Sequence, residues 1–281
     1  MRPDVLGVIG LGAIGGSVAW QASRAGIRRV LGYTPQRADG VAAVRAGAIT
    51  ELAPSIQSIV KRTDLVVLAA PPAATLDLLA HMRDRGTAID QLMTDVTSVK
   101  APVVAAAARA GLESCFAGSH PMTGTHVRGF AAARPDRFEN AVVYVTPAGT
   151  DDRPVREVAH FWAKVLDARP VIMDATAHDG LLAWTSHLPQ VVASALAGVF
   201  AEAGPRGVTF GAGALDTSRL AAGSVEMWRD LLLLNREAVL TALDRYQDRL
   251  GGLHRALAEG DAASVTSWLH EAARWRRRHD A

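Results

Sequence analysis

Lysine is nearly missing from this sequence, and its positive and negative charges are almost balanced. Three of the 30 basic residues are lysine, which leaves 27 arginines scattered along the chain. Together with 28 acidic residues they give a formal net charge of +2 at pH 7. This charge gives no electrostatic case for nucleic-acid binding, which needs a basic surface that neutralises phosphates.

The sequence also has a single cysteine and no long apolar run. Cys115 cannot form a disulfide within the chain, which suits a reducing compartment. No apolar stretch reaches the roughly 18 residues that a membrane span needs, and no signal-peptide pattern precedes the first strand pattern. No acidic or Cys/His cluster has metal-ligand spacing. We therefore expect a cytoplasmic protein without a metal, a membrane anchor or a nucleic-acid partner.

The length and the apolar content are sufficient for an ordinary folded core. The chain has 281 residues, 49% of them hydrophobic, which fits one large domain or two of average size. Strand patterns alternate with helix patterns in the first part, and this predicts an α/β fold with a Rossmann-type, doubly wound parallel sheet. Helix patterns alone follow residue 174. A turn-rich stretch at 147–152 suggests domains of 1–150 and 151–281, although the boundary could lie nearer 174.

A glycine fingerprint follows the first predicted strand, at residues 5–9. Gly10, Gly12 and Gly15 form Gly-x-Gly-x-x-Gly between this strand and a predicted helix. In that context the first glycine permits the turn, the second admits a pyrophosphate, and the third allows close helix–strand packing. The sequence therefore predicts a dinucleotide site. Its first residues are Gly10, Leu11, Gly12, Ala13, Ile14 and Gly15.

The second predicted strand, at 29–33, bears on the choice between NAD and NADP. An NAD site usually has an acidic residue at the end of this strand, to bind the ribose 2′-hydroxyl. Here Tyr33 is followed by the neutral Thr34, and Arg37 could pair with a 2′-phosphate. The sequence thus favours NADP over NAD. If Arg37 is only a solvated loop residue, either cofactor fits.

Three further segments are predicted to reach the same edge of the sheet. Ala70 and Pro71 end one strand where the nicotinamide would lie, and Thr97 and Ser98 end the next. His120 follows in Gly-Ser-His-Pro-Met-Thr-Gly at 118–124, where the two terminal glycines suggest sharp turns and a loop. Carboxyl ends of parallel strands share one edge, so these residues are expected to meet. His120 could accept a proton there, or be an ordinary loop histidine.

The second half reads as helices with a broad apolar surface. Pro189 lies inside a helix pattern at 178–200 and is expected to kink it. A stripe at helical period runs through 226–250, and leucines 231–234 are apolar on all sides. This favours a homodimer built on the helical half. The alternative is a central helix wrapped within one chain.

Several segments in a fixed order resemble the prephenate/arogenate dehydrogenase family. They cover nearly the whole chain, and Gly-Ser-His-Pro-Met and Ser-His-Leu-Pro are specific to that family. The resemblance implies a nucleotide-binding domain followed by a helical dimerisation domain, with the active site between them. The segments are Gly-x-Gly-x-x-Gly at 10–15, Asp-Val-Thr-Ser-Val-Lys at 95–100, the 118–124 stretch, His178-Asp179, Ser-His-Leu-Pro at 186–189, Ser-Arg-Leu-Ala at 218–221 and Trp228.

The implied reaction is oxidative decarboxylation of a cyclohexadienol to the tyrosine skeleton. By resemblance, His120 accepts the hydroxyl proton, Ser98 hydrogen-bonds the histidine and the substrate hydroxyl, and Arg219 binds a carboxylate. The remaining residues that the resemblance places around the substrate are Ser186, His187, Gln190, Thr125, His126 and Trp228.

Two departures from the family pattern leave the substrate open. Gln190 stands where a second histidine is common, and His126 where a glutamate is common. Losing a carboxylate argues for prephenate over arogenate, which carries an ammonium, whereas losing a cation argues the other way. An amino-substituted prephenate of specialised metabolism is a third possibility.

Two other function classes share features with this sequence. A β-hydroxyacid dehydrogenase or imine reductase would usually rely on a lysine or an aspartate in the helical half, where only Asp179 is suitably placed. A nucleotide-sensing protein without catalysis would bind the dinucleotide and turn over no cyclohexadienyl substrate.

Overall fold

The computed structural model describes residues 2–84, 91–124, 127–204 and 209–279. Strands and helices alternate through the first hundred residues, as the sequence predicts. The elements are β1 (Val5–Ile9), α1 (Ala13–Arg24), β2 (Arg29–Tyr33), α2 (Arg37–Arg45), β3 (Glu51–Leu52), α3 (Ile56–Val60), β4 (Leu65–Leu68), α4 (Pro72–Asp84), β5 (Leu92–Asp95) and α5 (Ala101–Arg109).

These strands form one parallel sheet of five, in the order β3-β2-β1-β4-β5. β1 and β4 are almost entirely buried, which explains their continuous apolar sequence, because helices cover both faces of the sheet. The predicted Rossmann-type sheet is confirmed. The strand order reverses beside β1, so the β1–α1 and β4–α4 turns lie next to each other at the carboxyl edge.

The next elements form a second, smaller sheet, which the sequence analysis did not anticipate. Its strands are ordered β6-β7-β8, with β6 antiparallel to β7 and β7 parallel to β8. A parallel bridge between Met93 and Phe116 joins the two sheets beside β5. The carboxyl end of β6 therefore lies at the same edge as the carboxyl ends of β1, β4 and β5. The elements are β6 (Ala117–Pro121), β7 (Val142–Pro147), α6 (Arg153–Lys164) and β8 (Arg169–Ile172).

The predicted loop around His120 is wrong, because His120 lies within β6 and pairs with Tyr144 of β7. Neither Gly118 nor Gly124 has a positive φ, so neither makes the predicted sharp turn. Gly118 is required for space instead: a Cβ there would lie 2.6 Å from Thr146 Oγ1. Short polar strands such as this one carry no apolar alternation from which a strand could be predicted.

The chain after residue 174 is helical, as predicted. A π-helical turn at Ala183–His187 interrupts the long helix just before Pro189, which occupies the first turn of the next helix, where a missing N–H is tolerated. A 3₁₀ turn at Arg219–Ala222 separates two later helices. The helices are α7 (Ala175–Leu182), α8 (Leu188–Ala203), α9 (Ala212–Ser218), α10 (Val225–Leu234), α11 (Arg236–Ala258) and α12 (Ala262–Arg277).

The single helix predicted over 226–250 is in fact two helices, broken at Asn235. The amide Nδ2 of Asn235 donates to the backbone oxygen of Asp179 at 2.8 Å and contacts His187 Nδ1 at 3.1 Å. The helix therefore breaks where Asn235 makes these tertiary contacts, even though the apolar residues continue at helical spacing. None of the described helices is long and apolar enough to cross a membrane.

Candidate active site

The β1–α1 turn has the geometry of a dinucleotide cradle. Gly10 has φ +102°, and a Cβ there would lie 2.4 Å from the carbonyl oxygen of Ala69. A Cβ on Gly15 would lie 1.9 Å from the carbonyl oxygen of Gly10, so this helix–strand contact requires glycine. Around Gly12 there is no atom within 4 Å of the position that a Cβ would take. The close backbone contacts of Gly10 and Gly15 maintain the turn, while Gly12 leaves the room that a pyrophosphate needs.

The start of α1 completes this cradle. Gly12 is the N-cap, has no side chain to cap the helix, and is followed by Ala13 and Ile14 in the first turn. The N–H groups of this turn have no intrahelical acceptors and point along a helix dipole that favours an anion. The described residues fit the phosphates of a dinucleotide.

Alanine variants of two of these glycines are expected to separate binding from folding. Gly12→Ala adds a methyl into open space, so the fold should persist while dinucleotide affinity falls by about tenfold or more. Gly15→Ala places a methyl against backbone and should lower stability by about 1–3 kcal/mol. Nucleotide titration and thermal unfolding measure the two effects. A Gly12→Ala protein that binds as tightly as wild type would contradict the assignment.

Two of the residues predicted to bind the cofactor lie at the end of β2. Tyr33 ends the strand, and the hydroxyl of Thr34 donates to Gln36 Oε1 at 2.9 Å. Arg37 is the first residue of α2 and is exposed, so it is a helix residue rather than the loop residue considered from sequence. Among the described residues its guanidinium has no ion-pair partner.

Three of the residues predicted to bind the cofactor follow β4 and β5 at the carboxyl edge of the sheet. Ala70 is half-buried and its carbonyl oxygen accepts from the Thr75 hydroxyl at 3.1 Å, while Pro71 is exposed. Thr97 is buried, and its backbone N–H donates to Asp95 Oδ2 at 2.8 Å. Its hydroxyl donates to the same carboxylate. Both the N–H and the hydroxyl of Thr97 thus support Asp95 rather than pointing to a ligand.

His120 lies at this same edge and is 8% exposed. Its Nδ1 is 2.9 Å from Nε2 of His178, whose Nδ1 is 2.7 Å from Oδ1 of Asp179. Burial, together with His178, Lys100 and His187, holds the pKa of His120 well below its ordinary value. The imidazole is therefore neutral at pH 7, and its Nε2 has no hydrogen-bond partner among the described residues.

Asp179 is held by the start of α5. Its Oδ1 accepts the N–H of Lys100 and its Oδ2 the N–H of Ala101, each at 2.8 Å. A carboxylate at a helix N-terminus satisfies two N–H groups that have no intrahelical partner. This contact joins the helical half to the nucleotide-binding half directly behind His120.

A fully buried ion pair between Asp95 and Lys100 lies under β6. Lys100 Nζ also donates to the backbone oxygen of Ser119 at 2.7 Å, and the N–H of Ser119 donates to Asp95 Oδ1 at 3.1 Å. The Ser119 hydroxyl meets Thr94 Oγ1 at 2.7 Å and accepts from Trp162 Nε1 at 2.9 Å. The residue before His120 is therefore fixed at both backbone groups and at its side chain.

Comparisons with known proteins identify the family of this chain. A family model described as the nucleotide-binding domain of prephenate dehydrogenase matches residues 18–171, and one described as its dimerization domain matches 174–271. Prephenate dehydrogenase of Bacillus subtilis (strain 168) is 33% identical over 97% of this chain and 75% of its own. The chain belongs to the prephenate dehydrogenase family.

Solved structures of the prephenate dehydrogenase family have the same fold. Prephenate dehydrogenase from A. aeolicus, in complex with hydroxyphenyl propionate and NAD⁺, has a TM-score of 0.89 at 27% identity, covering 98% of both chains. Arogenate dehydrogenase from Synechocystis has a TM-score of 0.83 at 26% identity, covering 98% of this chain and 99% of its own.

In this prephenate dehydrogenase family member, two of the predicted substrate residues lie close together near the His120–His178 pair. His187 is buried in the π-helical turn, and its ring centroid is 5.9 Å from that of Trp228 in α10. A Cβ on Gly223 would lie 2.6 Å from Trp228 Nε1, so Gly223 makes room for the indole. Burial lowers the pKa of His187, although Asp179 opposes this effect.

The other predicted substrate residues have no hydrogen bond to His120 or His187 among the described residues. Gln190 is buried, and its amide donates to Ser194 Oγ at 3.3 Å. Ser186 and Ser98 are half-buried, and Ser98 makes no hydrogen bond to His120 within the described residues. Arg219 is exposed in a 3₁₀ turn. Thr125 and His126 lie outside the described residues.

Sequence reasoning assigned no role to several residues that support the site. The motifs that carry the family resemblance contain four of them, Asp95, Lys100, His178 and Asp179. The order of motifs in the sequence does not show which residues hydrogen-bond to each other. For Asn235 a signal was present, because it is the one amide beside the apolar run at 231–234. A lone polar residue next to such a run is a candidate for a buried contact.

Proposed function

We propose that this protein oxidatively decarboxylates prephenate or arogenate, with hydride transfer to NADP or NAD, in tyrosine biosynthesis. The observation that carries the proposal is the position of His120. Its imidazole lies at the carboxyl edge shared with the glycine turn, it is buried and neutral, and its Nδ1 is already bonded to His178. A base is thus held beside the place where a nicotinamide would bind.

In this proposal the residues of the chain divide the work. His120 Nε2 accepts the proton of the ring hydroxyl, and Ser98 hydrogen-bonds that hydroxyl. Arg219 binds a substrate carboxylate through its two parallel N–H groups. Bound nicotinamide supplies the hydride acceptor. The substrate surface is assigned to Ser186, His187, Gln190, Thr125, His126 and Trp228.

We further propose a preference for NADP over NAD. Support comes from Thr34, which puts no carboxylate where the ribose binds, and from Arg37, whose exposed guanidinium begins α2. The fit of the phosphates to Gly10, Gly12 and Gly15 is the same for both cofactors. Leu11, Ala13, Ile14, Tyr33, Ala70, Pro71 and Thr97 are assigned to the rest of the cofactor surface.

The same proposal includes a homodimer formed through the helical half. It also includes a cytoplasmic location, with which a single cysteine is consistent. The dimer is supported by large apolar side chains that one chain leaves exposed on its helices, such as Val225 at 76% and Leu233 at 65%. A domain boundary near residue 174 is favoured over 150, because β8 pairs with β7. Others in the exposed set are Val199, Leu215, Leu220, Met227, Leu240, Leu250, Leu257, Leu269 and Trp275.

Initial rates with prephenate and with arogenate, each against NAD and NADP, test the proposal. We expect turnover of at least one substrate, faster with NADP. Arg37→Ala should raise the KM for NADP by about tenfold, the worth of one lost charge-assisted contact, and leave that for NAD unchanged. Absence of turnover in all four combinations would overturn the proposal, and an amino-substituted prephenate would then be tried.

A further inference from the structure

A row of three buried side chains ends at His120. His178 lies between the other two, with Nε2 2.9 Å from His120 Nδ1 and Nδ1 2.7 Å from Asp179 Oδ1. Exposed fractions are 8% for His120, 0% for His178 and 4% for Asp179. Three of the four ring nitrogens in the row face one definite partner each, so the proton positions follow from the partner at the far end.

That far end is fixed as an acceptor. Asp179 already accepts the N–H groups of Lys100 and Ala101, one on each carboxylate oxygen. An ionised carboxylate donates no proton, so His178 must carry its proton on Nδ1 and present a lone pair on Nε2. Neutral His120 then donates from Nδ1 to that lone pair. Its own lone pair is left on Nε2, the nitrogen that a base uses.

We propose that His178 is a positioning residue, which holds His120 in its Nδ1–H form and takes up the positive charge when His120 accepts a proton. The inference rests on the proposed function, since it concerns the base of that reaction. In the step, the substrate hydroxyl proton goes to His120 Nε2, and the Nδ1 proton of His120 passes to His178 Nε2. His120 then carries one proton, on Nε2, and is neutral, whereas His178 carries protons on both nitrogens, so the charge ends on His178 beside Asp179.

The surrounding charges favour this transfer. His120 faces Lys100, His178 and His187, each of which opposes a positive charge on its ring. His178 instead adjoins the Asp179 carboxylate, and its ring centroid is 5.3 Å from that of Tyr144. His187 is near enough to His178 for the two rings to repel each other when charged. The Asp179 carboxylate therefore attracts a positive charge on His178, whereas the groups around His120 repel one on its ring.

The proton positions can be measured without any substrate. In ¹⁵N-histidine-labelled protein, two-bond ¹H–¹⁵N correlation spectra should assign His120 as protonated on Nδ1 in wild type. His178→Ala should remove this preference, and His178→Gln should keep it, because an amide oxygen can accept from Nδ1. His160→Ala, at an exposed histidine of α6, is the matched control. Wild-type His120 protonated on Nε2 would overturn the inference.

Kinetics provide the second readout. His178→Ala should lower kcat by about 100-fold, the low end of a general-base contribution, with nucleotide binding unchanged. His178→Gln should recover only part of this loss, because the amide cannot take a proton. An unchanged kcat in His178→Ala would contradict the role. If wild type turns over no substrate, the proposed function fails, whereas the spectra still decide the proton positions.

Discussion

His120→Asn is expected to lower kcat by about 10²–10⁴-fold, the usual contribution of a positioned base. Asparagine can still bond to His178 through its amide, so the buried row behind it should stay in place, but it cannot accept the hydroxyl proton. The KM of the substrate and the affinity for the dinucleotide should change little. Steady-state rates and nucleotide titration measure these quantities.

The matched control is His81→Asn, at an exposed histidine of α4 that contacts only the backbone oxygen of Asp77 among the described residues. That variant should behave as wild type. If His120→Asn keeps kcat within about threefold of wild type, well below the range for a lost base, His120 is not the base.

The wild-type pH profile follows from the same residue. Catalysis needs neutral His120, so activity is present above its pKa and lost as the pH falls through it. Burial lowers that pKa, which moves the loss to more acidic pH than the ordinary histidine value of about 6.5. An acid limb of kcat/KM above that value would show that another group controls activity.

Lys100→Met is expected to reduce the free energy of unfolding by about 3–5 kcal/mol, because it leaves the Asp95 charge buried without its partner. Both side chains are completely buried. Burial lowers the pKa of Lys100, and Asp95 opposes this shift, so the ammonium depends on its carboxylate. Denaturant unfolding measures the loss.

Lys61→Met provides the control, because Lys61 is exposed and its removal should change stability by no more than about 0.5 kcal/mol. The double variant Asp95→Asn/Lys100→Met should regain part of the stability, since no buried charge remains. Equal losses in the Lys100 and Lys61 variants would show that the buried pair does not contribute as described.

The first half of the fold could be predicted from local sequence alone. Apolar runs predicted β1 and β2 at their observed residues, and the glycine spacing predicted a turn whose steric contacts at Gly10 and Gly15 now require glycine. The apolar runs and the glycine spacing predict these elements because they depend only on residues that are close in sequence. A buried strand and a tight turn each leave a local pattern.

What could not be predicted depends on contacts between distant residues. The strand containing His120 is defined by its pairing with β7, and the helix break at Asn235 by bonds to Asp179 and His187. Likewise, no periodicity reveals that Lys100 and Asp95 fix Ser119, or that Asp179 reaches α5 from 78 residues away. Polar contacts inside a core set these details, and they follow tertiary structure rather than composition.

The central claim is that hydride transfer and decarboxylation occur together at His120. The most direct test uses prephenate or arogenate labelled in the ring carboxylate. It measures the labelled carbon dioxide released and the reduced nicotinamide formed in the same sample. We expect equal amounts of the two, and both to form at least about 100-fold more slowly with the His120→Asn protein. Reduced nicotinamide without carbon dioxide would contradict the account, because it would make the protein a simple dehydrogenase on this fold.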